Sequence, residues 1–300
     1  MKPTILITGA NGQLGREFTE KYKNNNNVYS FTKSQLDISN SNHVLNAFQK
    51  INPDILINAA AYTNVNNAED EHDKAILINA TAVDALSNYC LRFDTIFLHF
   101  STDYIFSGKT NTSYSELDKP DPINHYGKSK LEGERNILAS GCKYIIVRTS
   151  WLYSQYGDNF LSNIIQQASI KKSLGVISNE IGTPTDTKFI VDCLEKFIND
   201  SRFLNTNINN IFNLVPNGHV SRDVFAKKIL LYLCDLGYKL DCVIKPIDML
   251  PIQKVMRPPF SALSNRKISN ALSINLLSWE DILKNFLNEN CEKIKNLIDH

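Results

Sequence analysis

The sequence predicts an α/β protein, a Rossmann-type doubly wound parallel sheet with a smaller C-terminal lobe. Three observations carry this. Short unbroken apolar runs such as Thr4-Ile5-Leu6-Ile7-Thr8 alternate with stretches of helical spacing, the pattern of strands buried on both faces. The first run enters a glycine-rich turn that opens a helix. At 300 residues the chain exceeds the usual single domain, leaving room for one large domain and a further lobe.

The first strand leads into Thr8-Gly9-Ala10-Asn11-Gly12-Gln13-Leu14-Gly15, with spacing Gly-x-x-Gly-x-x-Gly. Gly9 suits a tight turn, Gly12 close approach of a pyrophosphate, and Gly15 packing of helix on strand. Gly9, Asn11, Gly12, Gln13 and Leu14 are therefore candidate cofactor contacts. Val28-Tyr29-Ser30-Phe31 reads as the second strand, and the run of asparagines at 24–27 as a solvated loop before it. A strand end that selects NAD carries Asp or Glu; here Thr32-Lys33-Ser34 offers a cation and hydroxyls, which suit the 2′-phosphate of NADPH. With no carboxylate to repel that phosphate, NADH also remains open. Asp37 and Ile38 are placed against the adenine.

Residues 44–50 have helical spacing, and Pro53-Asp54-Ile55-Leu56-Ile57-Asn58 is a third strand. It ends in Ala59, Ala60 and Ala61, small enough for a flat cofactor to lie over the sheet edge. Thr63 and Val65 follow on the same rim. The acidic residues Glu69, Asp70, Glu71 and Asp73 read as a solvated first helical turn, and a helix over 76–91 carries Asn79, another candidate cofactor contact. Residues 95–100 form a strand ending in Ser101 and Thr102, hydroxyls placed to meet a substrate oxygen, with His99 as a packed core residue. A turn-rich loop over 108–124 precedes His125-Tyr126-Gly127-Lys128-Ser129-Lys130. Tyr126 and Lys130, four apart, share a helix face. A neighbouring ammonium favours phenolate, which suits Tyr126 to proton transfer near neutral pH.

The second half continues with a strand over 143–148, a helix over 159–168, a helix over 189–198, a strand over 211–215 and a helix over 220–236. The tail over 279–297 has apolar spacing at Trp279, Ile282, Leu283, Phe286 and Leu287, which fits one packed helix. At 43% hydrophobic and 21% charged, with net charge +1, the composition gives no bulk attraction to nucleic acid or an acidic membrane. Six cysteines without a Cys-x-x-Cys pair read as reduced thiols, and no apolar targeting stretch precedes the first strand, so a cytoplasmic protein is expected.

The glycine turn, Ser101-Thr102-Asp103-Tyr104-Ile105-Phe106 and Tyr126-Gly127-Lys128-Ser129-Lys130 together resemble the extended short-chain dehydrogenase/reductases. Trp151 within Arg148-Thr149-Ser150-Trp151-Leu152-Tyr153, Gly157-Asp158-Asn159-Phe160, Gly182-Thr183-Pro184-Thr185 and Arg257-Pro258-Pro259-Phe260-Ser261-Ala262-Leu263 extend the similarity from Thr4 to about Leu287. The resemblance implies a nucleotide-binding domain over 1–150, with 186–215 returning to it, and a substrate-binding lobe over 151–185 and 216–300. It implies reduction of the C4 ketone of dTDP-4-dehydro-L-rhamnose to dTDP-L-rhamnose, with Tyr126 as proton donor. Lys130 would lower the tyrosine pKa and hold the nicotinamide ribose, and Thr102 would orient the carbonyl. Thr63, Val65, Thr102, Trp151 and Arg257 fall on the substrate side, Trp151 against the sugar or base and Arg257 on a diphosphate oxygen.

Two departures from the family pattern stand out. Val65-Asn66-Asn67-Ala68-Glu69 carries amides where many relatives have a charged pair. Some relatives are described as magnesium-bridged dimers; Glu17 matches one metal position, but Lys188 stands at another, so no structural metal is expected, while a homodimer remains open. Two other readings share the fold. One is a regulatory subunit of the methionine adenosyltransferase type, with little chemistry of its own. The other is a nucleotide-sugar epimerase or dehydratase that recycles bound NAD; dehydratases place a Glu after the acidic residue, and here Asp103 is followed by Tyr104.

Overall fold

The apolar runs lie side by side in the structure, a computed structural model that describes residues 2–25, 27–200, 208–248 and 255–299. Of the asparagine-rich loop, position 26 lies outside the described residues. Strands β1 (Ile5–Thr8), β2 (Val28–Phe31), β3 (Ile55–Asn58), β4 (Ile96–Thr102), β5 (Tyr144–Thr149) and β10 (Asn210–Asn213) form one parallel sheet in the order β10-β5-β4-β3-β1-β2. Side chains alternate across a strand, so this sheet needs cover on both faces. Ile5 and Ile7 join Phe18, Ile190, Leu194 and Phe197 on one side, whereas Leu6 joins Val44, Phe48, Val83, Leu86 and Ile137 on the other. The first layer is built by helices α1 (Gln13–Tyr22) and α7 (Thr187–Asn199). The second uses α2 (Ser41–Ile51), α4 (Ala82–Arg92) and α5 (His125–Ser140).

A separate apolar cluster includes Leu161, Ile165, Phe225, Ile229, Leu283, Leu287 and Ile294. It is built by α6 (Phe160–Ile170), α8 (Arg222–Asp235), α10 (Trp279–Glu289) and α11 (Cys291–Ile298), with β7 (Ser173–Ile177) paired to β12 (Val243–Ile247). The intervening α9 (Arg266–Leu272) instead sends Ile268 and Leu272 into the sheet's own cluster. All six cysteines are free thiols, and no helix among the described residues is long and apolar enough to cross a membrane.

Three elements differ from their sequence expectation. The helix expected from 220 starts at Arg222, because Val220–Ser221 (β11) pairs antiparallel with Ile181–Gly182 (β8) and spends its backbone there. The single tail helix breaks at Asn290, whose amide donates to Phe286 O at 2.8 Å. The helix expected over 76–91 begins earlier, as α3 (His72–Ile76), and reaches α4 through a π-helical turn, Leu77–Thr81. Such a turn holds one residue more than an α-helical one and re-aims its side chains.

Candidate active site

The carboxyl ends of β1, β2 and β3 open onto a cavity of about 360 Å³. Gly9, Asn11 and Gly12 line its floor, Lys33, Asp37 and Ile38 one side, and Ala59, Ala60, Ala61 and Thr63 the other. Gly9 has φ +70°, and a Cβ there would lie 2.6 Å from Ala60 N. A Cβ on Gly15 would lie 2.1 Å from Gly9 O, so only glycine lets α1 rise directly off the turn. Gly12 caps α1 without a side-chain hydrogen bond, which leaves the first helical amides available to an anion. The cradle thus fits a dinucleotide pyrophosphate.

The side chains of some residues expected at the cofactor face elsewhere, while the backbone amides of Gln13 and Leu14 open the helix above the turn. Leu14 is buried in the core, and Gln13 Oε1 accepts from Ser154 at 3.1 Å and Asn159 at 3.3 Å. Thr32 does not line the cavity; its hydroxyl and its N–H both donate to Gln35, at 2.9 Å each. Asn79 is saturated by the chain: Oδ1 accepts from Tyr62 N, while Nδ2 donates to Tyr62 O and Ser129 Oγ. The π-helical turn aims Asn79 inward, so it anchors the rim loop rather than facing the cavity. Lys74 and Ile78 line the cavity, and nothing local in the sequence singles them out.

Helix α5 carries the candidate pair Tyr126 and Lys130. Asn124 caps it, accepting from Gly127 N at 2.8 Å. A Cβ on Gly127 would lie 2.1 Å from Tyr104 O, so this glycine lets the helix rest on the turn after β4. Tyr126 meets Tyr104 edge-on at 5.9 Å, and the Thr102 side chain lies beside its hydroxyl. Thr102 Oγ1 in turn donates to Asp103 Oδ1 at 3.1 Å and accepts from Tyr104 N at 3.2 Å.

Lys130 shares the helix face with Tyr126, yet its ammonium does not produce the expected depression of the phenol. Nζ donates to Phe100 O at 2.6 Å and lies 3.3 Å from His99 Nε2. Burial pushes the Tyr126 pKa up; the Thr102 hydroxyl opposes this, and Asp103 and Tyr104 add to it. Tyr126 is thereby held as a neutral phenol.

His99 is buried, as expected, and it belongs to a polar chain. Ala60 N and Thr8 Oγ1 donate to Asn58 Oδ1, which leaves Asn58 Nδ2 to donate to His99 Nδ1 at 3.1 Å. Burial, with Lys130 nearby, holds the imidazole pKa well below its usual value, so the ring is neutral and its proton sits on Nε2, facing Lys130. A lysine facing a donor is favoured as the free amine. Burial lowers the Lys130 pKa to about 8, partly opposed by Glu134. Burial likewise raises Asp103, to about 6, opposed by the neighbouring hydroxyls of Ser261 and Thr102.

The substrate-side candidates divide into two groups. Trp151 has φ +45°, a conformation in which a bulky side chain is an outlier. Its ring is clamped between the Arg222 guanidinium, 3.9 Å from the ring centroid, and Gly182, where a Cβ would lie 2.5 Å from Cε2. Arg222 is fixed by Glu180 at 2.6 Å, and its charge acts on Tyr104, in the turn after β4. Sequence reasoning missed Arg222 and Glu180, since only tertiary contact joins them. Across the rim, Arg257 donates to Asn66 Oδ1 at 2.9 Å, next to the half-buried Val65 and the exposed Thr63. Lys188, placed at a metal position by the resemblance, binds Glu289 at 2.7 Å, while burial raises the Glu17 pKa.

The parallel sheet, the glycine cradle and the Thr102–Tyr126 pair beside Lys130 define the class: an extended short-chain dehydrogenase/reductase. Within it, the chain belongs to the RmlD substrate binding domain family, which matches residues 1–291. It is 35% identical to dTDP-4-dehydrorhamnose reductase of Aggregatibacter actinomycetemcomitans over 292 residues, covering 94% of this chain and 97% of that one. The spore coat polysaccharide biosynthesis protein SpsK of Bacillus subtilis (strain 168) is 34% identical over 287 residues, covering 95% and 97%. The crystal structure of dTDP-4-dehydrorhamnose reductase from Bacillus anthracis in complex with NADP superposes with a TM-score of 0.88 at 33% identity, covering 96% of this chain and 99% of that one.

Proposed function

We propose that this chain is an NADPH-dependent reductase that converts dTDP-4-dehydro-L-rhamnose to dTDP-L-rhamnose. The observation that carries the reading is the placement of Thr102 against the Tyr126 phenol beside the cavity at the sheet's carboxyl edge, in a member of this family. Gly9, Gly12 and the first amides of α1 would hold the pyrophosphate. Lys33 would take the 2′-phosphate, because the neighbouring carboxylate, Asp37, is spent on Ser39 at 2.7 Å. A bound reduced nicotinamide supplies the hydride for C4 of the sugar. Tyr126 transfers its phenolic proton to the ketone oxygen, and Thr102 positions that oxygen. Lys130, once protonated, holds the ribose hydroxyls. The sheet domain carries the dinucleotide, and the lobe, with Trp151, carries the nucleotide sugar. A homodimer and a cytoplasmic setting complete the reading.

The test is NADPH oxidation, followed by absorbance, on adding dTDP-4-dehydro-L-rhamnose to the purified chain, with NADH and with UDP- and GDP-linked 4-keto sugars as comparisons. Turnover of the dTDP sugar with NADPH supports the proposal. No oxidation of either cofactor with any of these sugars by a folded chain overturns it and favours a regulatory role.

Two further outcomes are expected. Lys130 carries its charge below about pH 8 and loses it above, whereas Tyr126 stays neutral. Accordingly kcat/KM falls as pH rises through about 8, and a profile flat to beyond pH 9.5 removes Lys130 from the chemistry. Gly182→Ala pushes the Trp151 ring aside. The KM for the sugar nucleotide is then expected to rise roughly tenfold, about 1.4 kcal/mol, with the KM for NADPH unchanged. An unmoved sugar KM takes Trp151 out of the substrate wall.

A further inference from the structure

The acidic residues at 69–73, expected to form a solvated helical turn, do more than face water. Glu71 accepts from the Tyr62 hydroxyl and Lys74, and Glu69 Oε1 accepts from His125 N at 2.8 Å. The second Glu69 oxygen, Oε2, lies 3.9 Å from His125 Nε2. His72, the first residue of α3, stacks on His125 with ring centroids 3.5 Å apart and planes at 11°. One ligand atom from each of Glu69, His72 and His125 falls within 4.8 Å of the other two.

We propose that Glu69, His72 and His125 form a binding site for one divalent transition-metal ion of the zinc type, on the rim of the active site. Two imidazoles and one carboxylate oxygen are a borderline-soft donor set, suited to Zn²⁺, Ni²⁺ or Cu²⁺ and unsuited to Mg²⁺, which takes oxygen ligands. Bonds of about 2.0–2.2 Å to a tetrahedral ion place ligand atoms about 3.3–3.6 Å apart. Glu69 and His125 are already close to that separation and share a backbone hydrogen bond that leaves Oε2 to the metal. His72 is exposed, so its ring can swing out of the stack to complete the set, with water as the fourth ligand. A plain Glu69–His125 ion pair explains neither the presence of His72 nor its placement over the second imidazole. The site bears on the reaction centre because Tyr126 follows His125 directly and packs with Ala68 and Ala75 on the segment that carries Glu69 and His72. A bound ion clamps that segment to the start of α5.

The proposal is independent of the substrate assignment, because its test needs no turnover. Metal-free wild type, His72→Ala and Glu69→Gln are titrated with Zn²⁺ by calorimetry, and Tm is measured with and without the ion. The glutamine retains an oxygen for His125 N, and neither position belongs to the catalytic machinery. One Zn²⁺ per chain is expected in wild type, with a raised Tm. Loss of even an outer-shell partner costs about 10–100-fold in metal affinity, so each variant should weaken binding by at least tenfold and lose the Tm rise. The exposed thiols of Cys234 and Cys291 are common to all three proteins, so the difference isolates this site. No Zn²⁺ binding by wild type, or equal binding by His72→Ala and Glu69→Gln, overturns the proposal.

Discussion

Tyr126→Phe is expected to lower kcat for the dTDP-4-keto sugar by ~10²–10⁴-fold, the usual contribution of a general acid, while leaving NADPH affinity and fold intact. The ring of Tyr126 packs edge-on against Tyr104, and phenylalanine keeps that contact. The lost hydroxyl does not strand Thr102, whose oxygen still accepts from Tyr104 N and whose proton still goes to Asp103. A stability loss of only about 1 kcal/mol is therefore expected. Measured kcat, NADPH titration by fluorescence and a thermal melt together make the test. Turnover equal to wild type in a folded variant would show that the ketone oxygen takes its proton from another group.

Glu134→Ala is expected to cost about 3–5 kcal/mol. Glu134 lies two turns beyond Tyr126 on α5 and receives Arg148 of β5 through two bonds, 3.0 Å from Nε and 2.7 Å from Nη2. Both side chains are almost wholly removed from water, at 3% and 1% exposure. Removing the carboxylate leaves a buried guanidinium whose Nη1 already lacks a hydrogen-bond partner among the described residues. A Tm lower by roughly 5–15 °C should follow. Replacing both partners, as Glu134→Leu with Arg148→Met, removes the stranded charge and should recover much of the loss. A double variant less stable than Glu134→Ala alone would mean that packing, not charge, governs this contact.

Much of the sheet was legible because both of its faces are covered: runs such as Ile5-Leu6-Ile7 and Ile55-Leu56-Ile57 have no polar alternation to mislead. The glycine turn was legible because backbone geometry admits no other residue at Gly9. Helical spacing put Tyr126 and Lys130 on one face, and the helix does so. Spacing could not say that Lys130 would turn to Phe100 O and His99, since that depends on a strand about 30 residues earlier. The orientation of Asn79 shows a related limit: a π-helical turn has no local sequence signal, and one extra residue changes where a side chain points. The pairing of Glu134 with Arg148, the Arg222 clamp and the meeting of His72 with His125 are tertiary events that no periodicity encodes.

Trp151 shows what this site asks of the chain. A left-handed backbone at a bulky residue costs of order 1–3 kcal/mol, and here it persists under the grip of Arg222 and Gly182. Glycine or asparagine would occupy the same backbone with less strain. Position 151 is therefore a costly place for an indole, and the contacts on its two faces, a cation on one and a bare glycine on the other, hold it there.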